Sequence, residues 1–269
     1  IRGVFGTDLT PENLARFTAA YGTWLKGGTV VLGRDSRVTG QICEDIVAST
    51  LASVGCDVIK VGIVPTPTVA MGVLRHNADG GIIIPPSHNP AQWNALKLLN
   101  GTSEFMTASE GKEMIAISDS GEFNYKMYDE IGSISEDNDL LQYHIEEILK
   151  LDYIDPEIIR AAKLSVAVDA VNGAGSVGVP LLLEKLGIET VHTIHCTPNG
   201  LFPHNPEPLP EHLTEICDLV NSSGADIGVV TDPDADRLAL VENIHKQRYS
   251  TLFLGRNPVI LLPIYPLPE

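Results

Sequence analysis

The 269-residue sequence is poor in cysteine, in aromatic residues and in positive charge. Its four cysteines are Cys43, Cys56, Cys196 and Cys217. None makes a Cys-x-x-Cys pair, and their segments read as helix or strand interior. A disulfide framework is excluded at this length, and the reading left is reduced, buried thiols in a cytoplasmic protein. Lysine and arginine number 18 against 35 aspartates and glutamates, a formal net charge of −17. Such a chain is no partner for nucleic acid or an anionic membrane surface, because both are held by released counterions and basic side chains. A phosphorylated small molecule stays open, since a local cationic site can sit within an acidic surface. No apolar run is long enough to span a bilayer and no signal peptide opens the chain, so no membrane partner is expected. The sequence starts at Ile1, which reads as a trimmed or processed start.

What is present is an alternation of apolar strand-like runs with helical segments at crossover spacing. That alternation predicts an α/β fold: two consecutive α/β domains with mixed, mainly parallel sheets. The first domain is placed at 1–150 and the second at 151–242, with an irregular C-terminal tail over 243–269. The tail is apolar but broken by Pro258, Pro263, Pro266 and Pro268, and reads as neither a good helix nor a good strand. It resembles the start of a truncated third domain.

The most informative stretch is Gly80-Gly81-Ile82-Ile83-Ile84-Pro85-Pro86-Ser87-His88-Asn89-Pro90. Three isoleucines after two glycines read as a strand covered on both faces. Two prolines stop the ladder and stiffen the turn. Ser87 then stands at the strand's lip, with His88, Asn89 and Lys97 as expected neighbours. A rigid turn showing one hydroxyl beside a histidine and a lysine is a common way to display a nucleophile. Lys97 lies on a short strand, Asn94–Leu99, before an Asn100-Gly101 turn signal.

Other segments are less specific. Ile1-Arg2-Gly3-Val4 is glycine-spaced and lets Arg2 reach outward. Gly33-Arg34-Asp35-Ser36-Arg37 follows a buried strand and supports two readings: an anion site using Arg37, or an Asp–Arg pair that ties the loop. Residues 107–150 read as helical and acidic. Asn172-Gly173-Ala174-Gly175-Ser176-Val177-Gly178 contains Gly-x-Gly-x-x-Gly after a strand, yet the next strand ends in His195-Cys196-Thr197 with no carboxylate. A dinucleotide site needs that acid, so the glycines read as a tight strand-to-helix turn.

The second chemical signal is Thr231-Asp232-Pro233-Asp234-Ala235-Asp236-Arg237, again after a strand. In a sharp loop Asp232, Asp234 and Asp236 can converge on one point, where they repel unless a cation lies between them. Hard oxygen donors in this number suit Mg²⁺. An exposed acidic turn is the plainer alternative.

Taken in order, these pieces resemble the α-D-phosphohexomutases: phosphomannomutase, phosphoglucomutase and phosphoglucosamine mutase. The resemblance runs through Ile1–Val4, Gly33–Arg37, Pro65-Thr66-Pro67-Thr68, Ser87–Pro90 with Asn94 and Lys97, Asn172–Gly175 and Asp232–Arg237. It implies that Ser87 is a phosphoserine and that Asp232, Asp234 and Asp236 hold Mg²⁺. It implies Arg2 and Lys97 as candidate general acid and base, with His88, Asn89 and Arg237 supporting the serine and its phosphate. The implied reaction interconverts hexose 1- and 6-phosphates through a hexose 1,6-bisphosphate. Two features depart from the family pattern. Pro85 and Pro86 stand where a hydroxyl-bearing pair is usual. Members resemble four-domain proteins, and the sugar-specificity and phosphate loops of the third and fourth domains are not found here. Two rival readings are a haloacid-dehalogenase-like phosphatase with Asp232 as nucleophile, and a non-catalytic phosphosugar- or metal-binding module.

Overall fold

A computed structural model describes residues 1–85 and 87–242, together with the backbone of Val259–Pro263. The chain divides into two compact units, Ile1–Pro86 with Gln92–Leu140, and Ser87–Ala91 with Leu141–Glu269. The rest of the predicted tail, like Pro86, lies outside the described residues.

In the first unit the elements run β1 (Arg2–Val4), α1 (Pro11–Trp24), β2 (Gly28–Arg34), α2 (Gly40–Ser53), β3 (Cys56–Ile63), α3 (Thr66–Arg75), β4 (Gly80–Ile84), β5 (Trp93–Ala95), β6 (Lys97–Asn100), α4 (Ala108–Ser120) and β7 (Ile134–Glu136). Local chemistry sets the helix ends. Thr10 accepts a hydrogen bond from the Asn13 amide at 3.2 Å and Pro11 fills the first position of α1, where its missing N–H is no loss. Thr107 and Glu110 form a reciprocal capping box on α4, and Gly121 closes it in the left-handed conformation.

The sheet order is β6-β4-β2-β3-β7. The β7, β3, β2 and β4 strands are parallel and β6 is antiparallel. Every residue of β4 is buried, as a strand covered on both faces requires. Tyr21 of α1 packs on its first glycine, and its hydroxyl sits 2.6 Å from the Leu99 carbonyl and 3.2 Å from that of Gly81. A Cβ on Gly80 would lie 2.1 Å from that hydroxyl oxygen, so the position admits no side chain. The chain crosses from β3 back over β2 to reach β4. The carboxyl ends of β2 and β4 therefore flank a topological switch, where open α/β sheets bind ligands. The stretch 107–150 is not helical throughout. The α4 helix ends at Ser120, residues 121–133 are irregular, and β7 adds an edge strand before the next helix begins. Gly121 and the turn residues after it override the helical pattern. The Asn94–Leu99 segment is likewise two strands: β5 pairs with β1 while β6 joins the main sheet.

The second unit's elements are α5 (Leu140–Leu149), α6 (Pro156–Ala161), β8 (Ser165–Asp169), α7 (Gly175–Lys185), β9 (Thr190–Ile194), a 3₁₀ turn at Pro210–His212, α8 (Thr214–Ser223), β10 (Ile227–Thr231), β11 (Arg237–Glu242) and β12 (Val259–Pro263). The α5 helix spans the division between the units at Leu140. The sheet order is β9-β8-β10-β11-β12. Its β9, β8 and β10 strands are parallel, while β11 and β12 run antiparallel at one edge. Five residues of the tail thus do form a strand. The sheet buries both faces: Val166 and Val168 pack beside Val179 and Leu183 of α7, while Ala167 packs beside Ile216 and Val220 of α8. Strand alternation sends successive side chains to opposite faces. This unit too has a switch point, between β8 and β10, where Asp169 stands opposite Val230.

Candidate active site

The acidic loop leaves β10 at Thr231 and turns at once. Asp232 organises the turn. Its Oδ1 accepts the backbone N–H of Asp236 at 3.1 Å and of Arg237 at 3.0 Å. Its carbonyl accepts the N–H of Ala235, which stands at φ +51°. Asp232 and Asp234 are buried, and one oxygen from each of Asp232, Asp234 and Asp236 lies within 4.8 Å of the other two.

Glycines make room for this loop. The Ala174 amide donates to the Pro233 carbonyl at 2.7 Å. A Cβ on Gly173 would come within 2.5 Å of that carbonyl oxygen, and one on Gly175 within 2.2 Å of Thr231 Oγ1. The glycine-rich turn after β8 therefore allows close approach to the acidic loop. Val171 and Asn172 in the same turn stand at φ +46° and +56°. A β-branched residue there is strained, and such strain gathers at functional sites.

Ser87 packs with this unit. Its hydroxyl donates to Asp232 Oδ2 at 2.8 Å, and it lies 3.4 Å from Asp236 Oδ1 and 3.4 Å from His88 Nδ1. Ser87 itself is in the left-handed region, at φ +57°. The turn thus brings a hydroxyl to the edge of three convergent carboxylates.

Burial, then the neighbouring Asp234 and Asp236 charges, push the Asp232 carboxyl well above the ordinary carboxylate range. Three carboxylates cannot all ionise here without a compensating positive charge. A divalent cation would supply it, and an all-carboxylate donor set fits a hard ion such as Mg²⁺. Around the hydroxyl, Glu207 Oε1 receives Arg237 Nη1 at 3.1 Å and lies 4.0 Å from His88 Nε2. Glu207 comes from the proline-rich loop 199–208. No local motif in the sequence singles out this glutamate.

Ser87, His88, Asp232, Asp234, Asp236 and Arg237 thus meet in one unit, with Asn89 half-buried on the same turn. Arg2, Arg37 and Lys97 belong to the other. Arg2 is exposed on β1, and Lys97 stands on β6 opposite Ile83. Arg37 is buried and paired with Asp35, whose other oxygen accepts the Arg37 amide at 3.0 Å. The loop after β2 is thus tied by an Asp–Arg pair.

Residues 1–125 match the family described as phosphoglucomutase/phosphomannomutase, alpha/beta/alpha domain I, and residues 142–244 match domain II of the same description. The chain belongs to the α-D-phosphohexomutase family. It is 38% identical over 248 residues to a phosphoglucomutase/phosphomannomutase of Thermococcus kodakarensis, covering 90% of this chain and 54% of that protein. It is 36% identical over 263 residues to a Methanopyrus kandleri protein named "Probable phosphoglucosamine mutase", covering 97% of this chain and 55% of that one. A crystal structure of a phosphoglucomutase/phosphomannomutase family protein from Burkholderia thailandensis superposes with a TM-score of 0.77 at 26% identity, covering 90% of this chain and 53% of that one. The chain spans about half the length of the curated relatives it matches. The two matched stretches fall on the chain's two α/β units.

Proposed function

We propose that this chain carries the phosphoryl-transfer centre of a phosphohexomutase, an isomerase that interconverts hexose 1- and 6-phosphates in carbohydrate metabolism. The observation that carries the proposal is the 2.8 Å contact between the Ser87 hydroxyl and Asp232 in a loop of three convergent carboxylates. In the resting enzyme Ser87 bears the phosphoryl group. A hydroxyl of the bound hexose phosphate attacks phosphorus, the bond from phosphorus to Ser87 Oγ breaks, and a hexose 1,6-bisphosphate forms. The sugar hydroxyl's proton leaves to a general base and Ser87 Oγ takes up a proton, with Arg2 and Lys97 as the candidate general acid and base. After the bisphosphate reorients, Ser87 Oγ attacks the other phosphoryl group and the free hexose phosphate departs.

Such transfer rests on positioning and on neutralising charge. Mg²⁺ held by Asp232, Asp234 and Asp236 would offset the charge of the phosphoryl oxygens beside these carboxylates. Arg237, braced by Glu207, and His88 supply nearby donors. Asn89 shares the turn of Ser87 and His88. The phosphatase alternative needs Asp232 as an accessible nucleophile. Asp232 is instead buried, with Oδ1 held by two amides and Oδ2 by Ser87. No helix among the described residues is long and apolar enough to cross a membrane, and a cytoplasmic setting is part of the proposal.

The test is phosphosite mapping of the full chain after incubation with glucose 1,6-bisphosphate and Mg²⁺. The expected result is phosphate on Ser87 and none in Ser87→Ala. Phosphate on an aspartate of the 232–236 loop would favour the phosphatase mechanism instead.

A further inference from the structure

A second group of ligand-type side chains lies in the same unit as the acidic loop, but it is chemically different. Asp169 is the last residue of β8, His195 follows the last residue of β9, and His204 sits in the loop that leads to Glu207. Each offers one ligand atom, and the three atoms lie within 4.8 Å of one another. Asp169 is buried, and the two histidine rings meet edge to face with centroids 5.5 Å apart.

Both rings are held from behind. His204 Nδ1 lies 2.8 Å from the Asn205 carbonyl oxygen, and His195 Nε2 lies 3.0 Å from Glu215 Oε2. A carbonyl or carboxylate behind the imidazole is the arrangement that fixes the tautomer of metal-ligating histidines. For His204 it places the proton on Nδ1 and leaves a lone pair on Nε2. That Nε2 lies 2.9 Å from Asp169 Oδ2, which is also an acceptor. Two acceptors at this distance need a positive charge between them: a second proton on the ring, or a metal ion. A tetrahedral Zn²⁺ with bonds of about 2.0–2.1 Å sets neighbouring ligand atoms about 3.3 Å apart. Seating it means opening the 2.9 Å His204–Asp169 pair by about 0.4 Å and bringing the His195 ligand atom, within 4.8 Å of both, to a similar distance.

We propose that Asp169, His195 and His204 form a second cation site, for a borderline transition metal of the Zn²⁺ class. Two imidazoles and one carboxylate favour Zn²⁺ over Mg²⁺, whereas the all-oxygen set of Asp232, Asp234 and Asp236 has the opposite preference. Metal binding releases the imidazole proton and joins the ends of β8 and β9 to the 197–206 segment. That segment runs into Glu207, the partner of Arg237. The ion would therefore stiffen the loop that braces the transfer centre without touching the reacting atoms.

The test uses the untagged full chain, stripped with a chelator and saturated with Mg²⁺, titrated with Co²⁺ and then challenged with Zn²⁺. One Co²⁺ per chain is expected, with the intense visible absorption of a four-coordinate ion, displaced by Zn²⁺ but not by further Mg²⁺. His195→Gln and His204→Gln should each weaken binding at least tenfold, and Glu215→Gln by about 10–100-fold. Glu215 is exposed, so its variant separates loss of binding from loss of folding. Asp234→Asn should bind Co²⁺ as the parent does. The proposal is overturned if no four-coordinate spectrum develops, if the two histidine variants bind unchanged, or if Asp234→Asn alone abolishes binding. The His204–Asp169 contact would then be an imidazolium–carboxylate pair.

Discussion

Arg237 Nη1 lies 3.1 Å from Glu207 Oε1, which joins the residue after the acidic loop to the proline-rich segment. Both side chains are about one-third exposed, at 39% and 33%, so the pair adds little to stability: at most about 1 kcal/mol. Its expected role is to aim the guanidinium. Glu207→Gln should leave the thermal midpoint nearly unchanged and slow phosphoryl transfer from Ser87 about tenfold, measured as discharge of labelled phosphoserine to a hexose 1-phosphate. Arg237→Lys should behave alike, because an ammonium lacks the planar fork.

A Cβ added at Gly173 would lie 2.5 Å from the Pro233 carbonyl oxygen, a backbone atom that no side-chain rotation can move away. Gly173→Ala should displace the acidic loop. The expected outcome is a loss of about 1–3 kcal/mol of stability by denaturant titration, as for other overpacked sites, together with weaker Mg²⁺ binding by calorimetry. A Cβ added at Gly111 of α4 would meet nothing within 4 Å, so Gly111→Ala is the matched control and should bind Mg²⁺ as the parent does.

Tyr21→Phe tests the packing of the first unit. The variant keeps the ring but leaves the Leu99 carbonyl without its 2.6 Å hydroxyl donor. Stability should fall by about 1–2 kcal/mol, read by chemical denaturation, while phosphorylation at Ser87 proceeds.

Burial pushes the Cys43 and Cys56 thiols up to about 12, with the Asp35 charge adding to the first and the Asp79 and Asp57 charges to the second. Neither should react with iodoacetamide at pH 8 in the native chain, and both should react in denaturant. The linkage has a definite sign. Above the unfolded thiol value, near pH 8.5, the folded state binds more protons than the unfolded state, so stability falls with rising pH until the folded value near 12. Cys43→Ala with Cys56→Ala should flatten that alkaline loss, measured as the thermal midpoint between pH 8 and 11.

Much of this was legible in the sequence because single residues impose local geometry. Thr10-Pro11 marks a helix start, the buried isoleucines mark β4, and three spaced aspartates after a strand mark a loop of convergent carboxylates. The glycines at 173 and 175 were legible as a tight turn. Their purpose was not, because it lies in a carbonyl sixty residues later in the chain. Glu207 and the Asp169–His195–His204 group were hidden for the same reason: each partner comes from a different strand end, and no local spacing joins them. The strand β7 was missed inside an acidic, helix-like stretch, because edge pairing to β3 is a tertiary contact that overrides local propensity. The sequence allowed two readings of Arg37, and its pairing with Asp35 is the one the structure displays.

The most direct test of the central claim follows phosphate on and off Ser87 as Mg²⁺ is varied. The chain is charged with labelled glucose 1,6-bisphosphate and then chased with unlabelled hexose 1-phosphate, in the parent and in Asp234→Asn. The account predicts that label enters Ser87, leaves to the sugar phosphate, and that both steps slow by about 10²–10³ on chelation or in the variant, the range for losing a principal electrostatic stabiliser. A folded, Mg²⁺-bound chain whose Ser87 takes no label, or a discharge rate indifferent to Mg²⁺ and to Asp234, would contradict it.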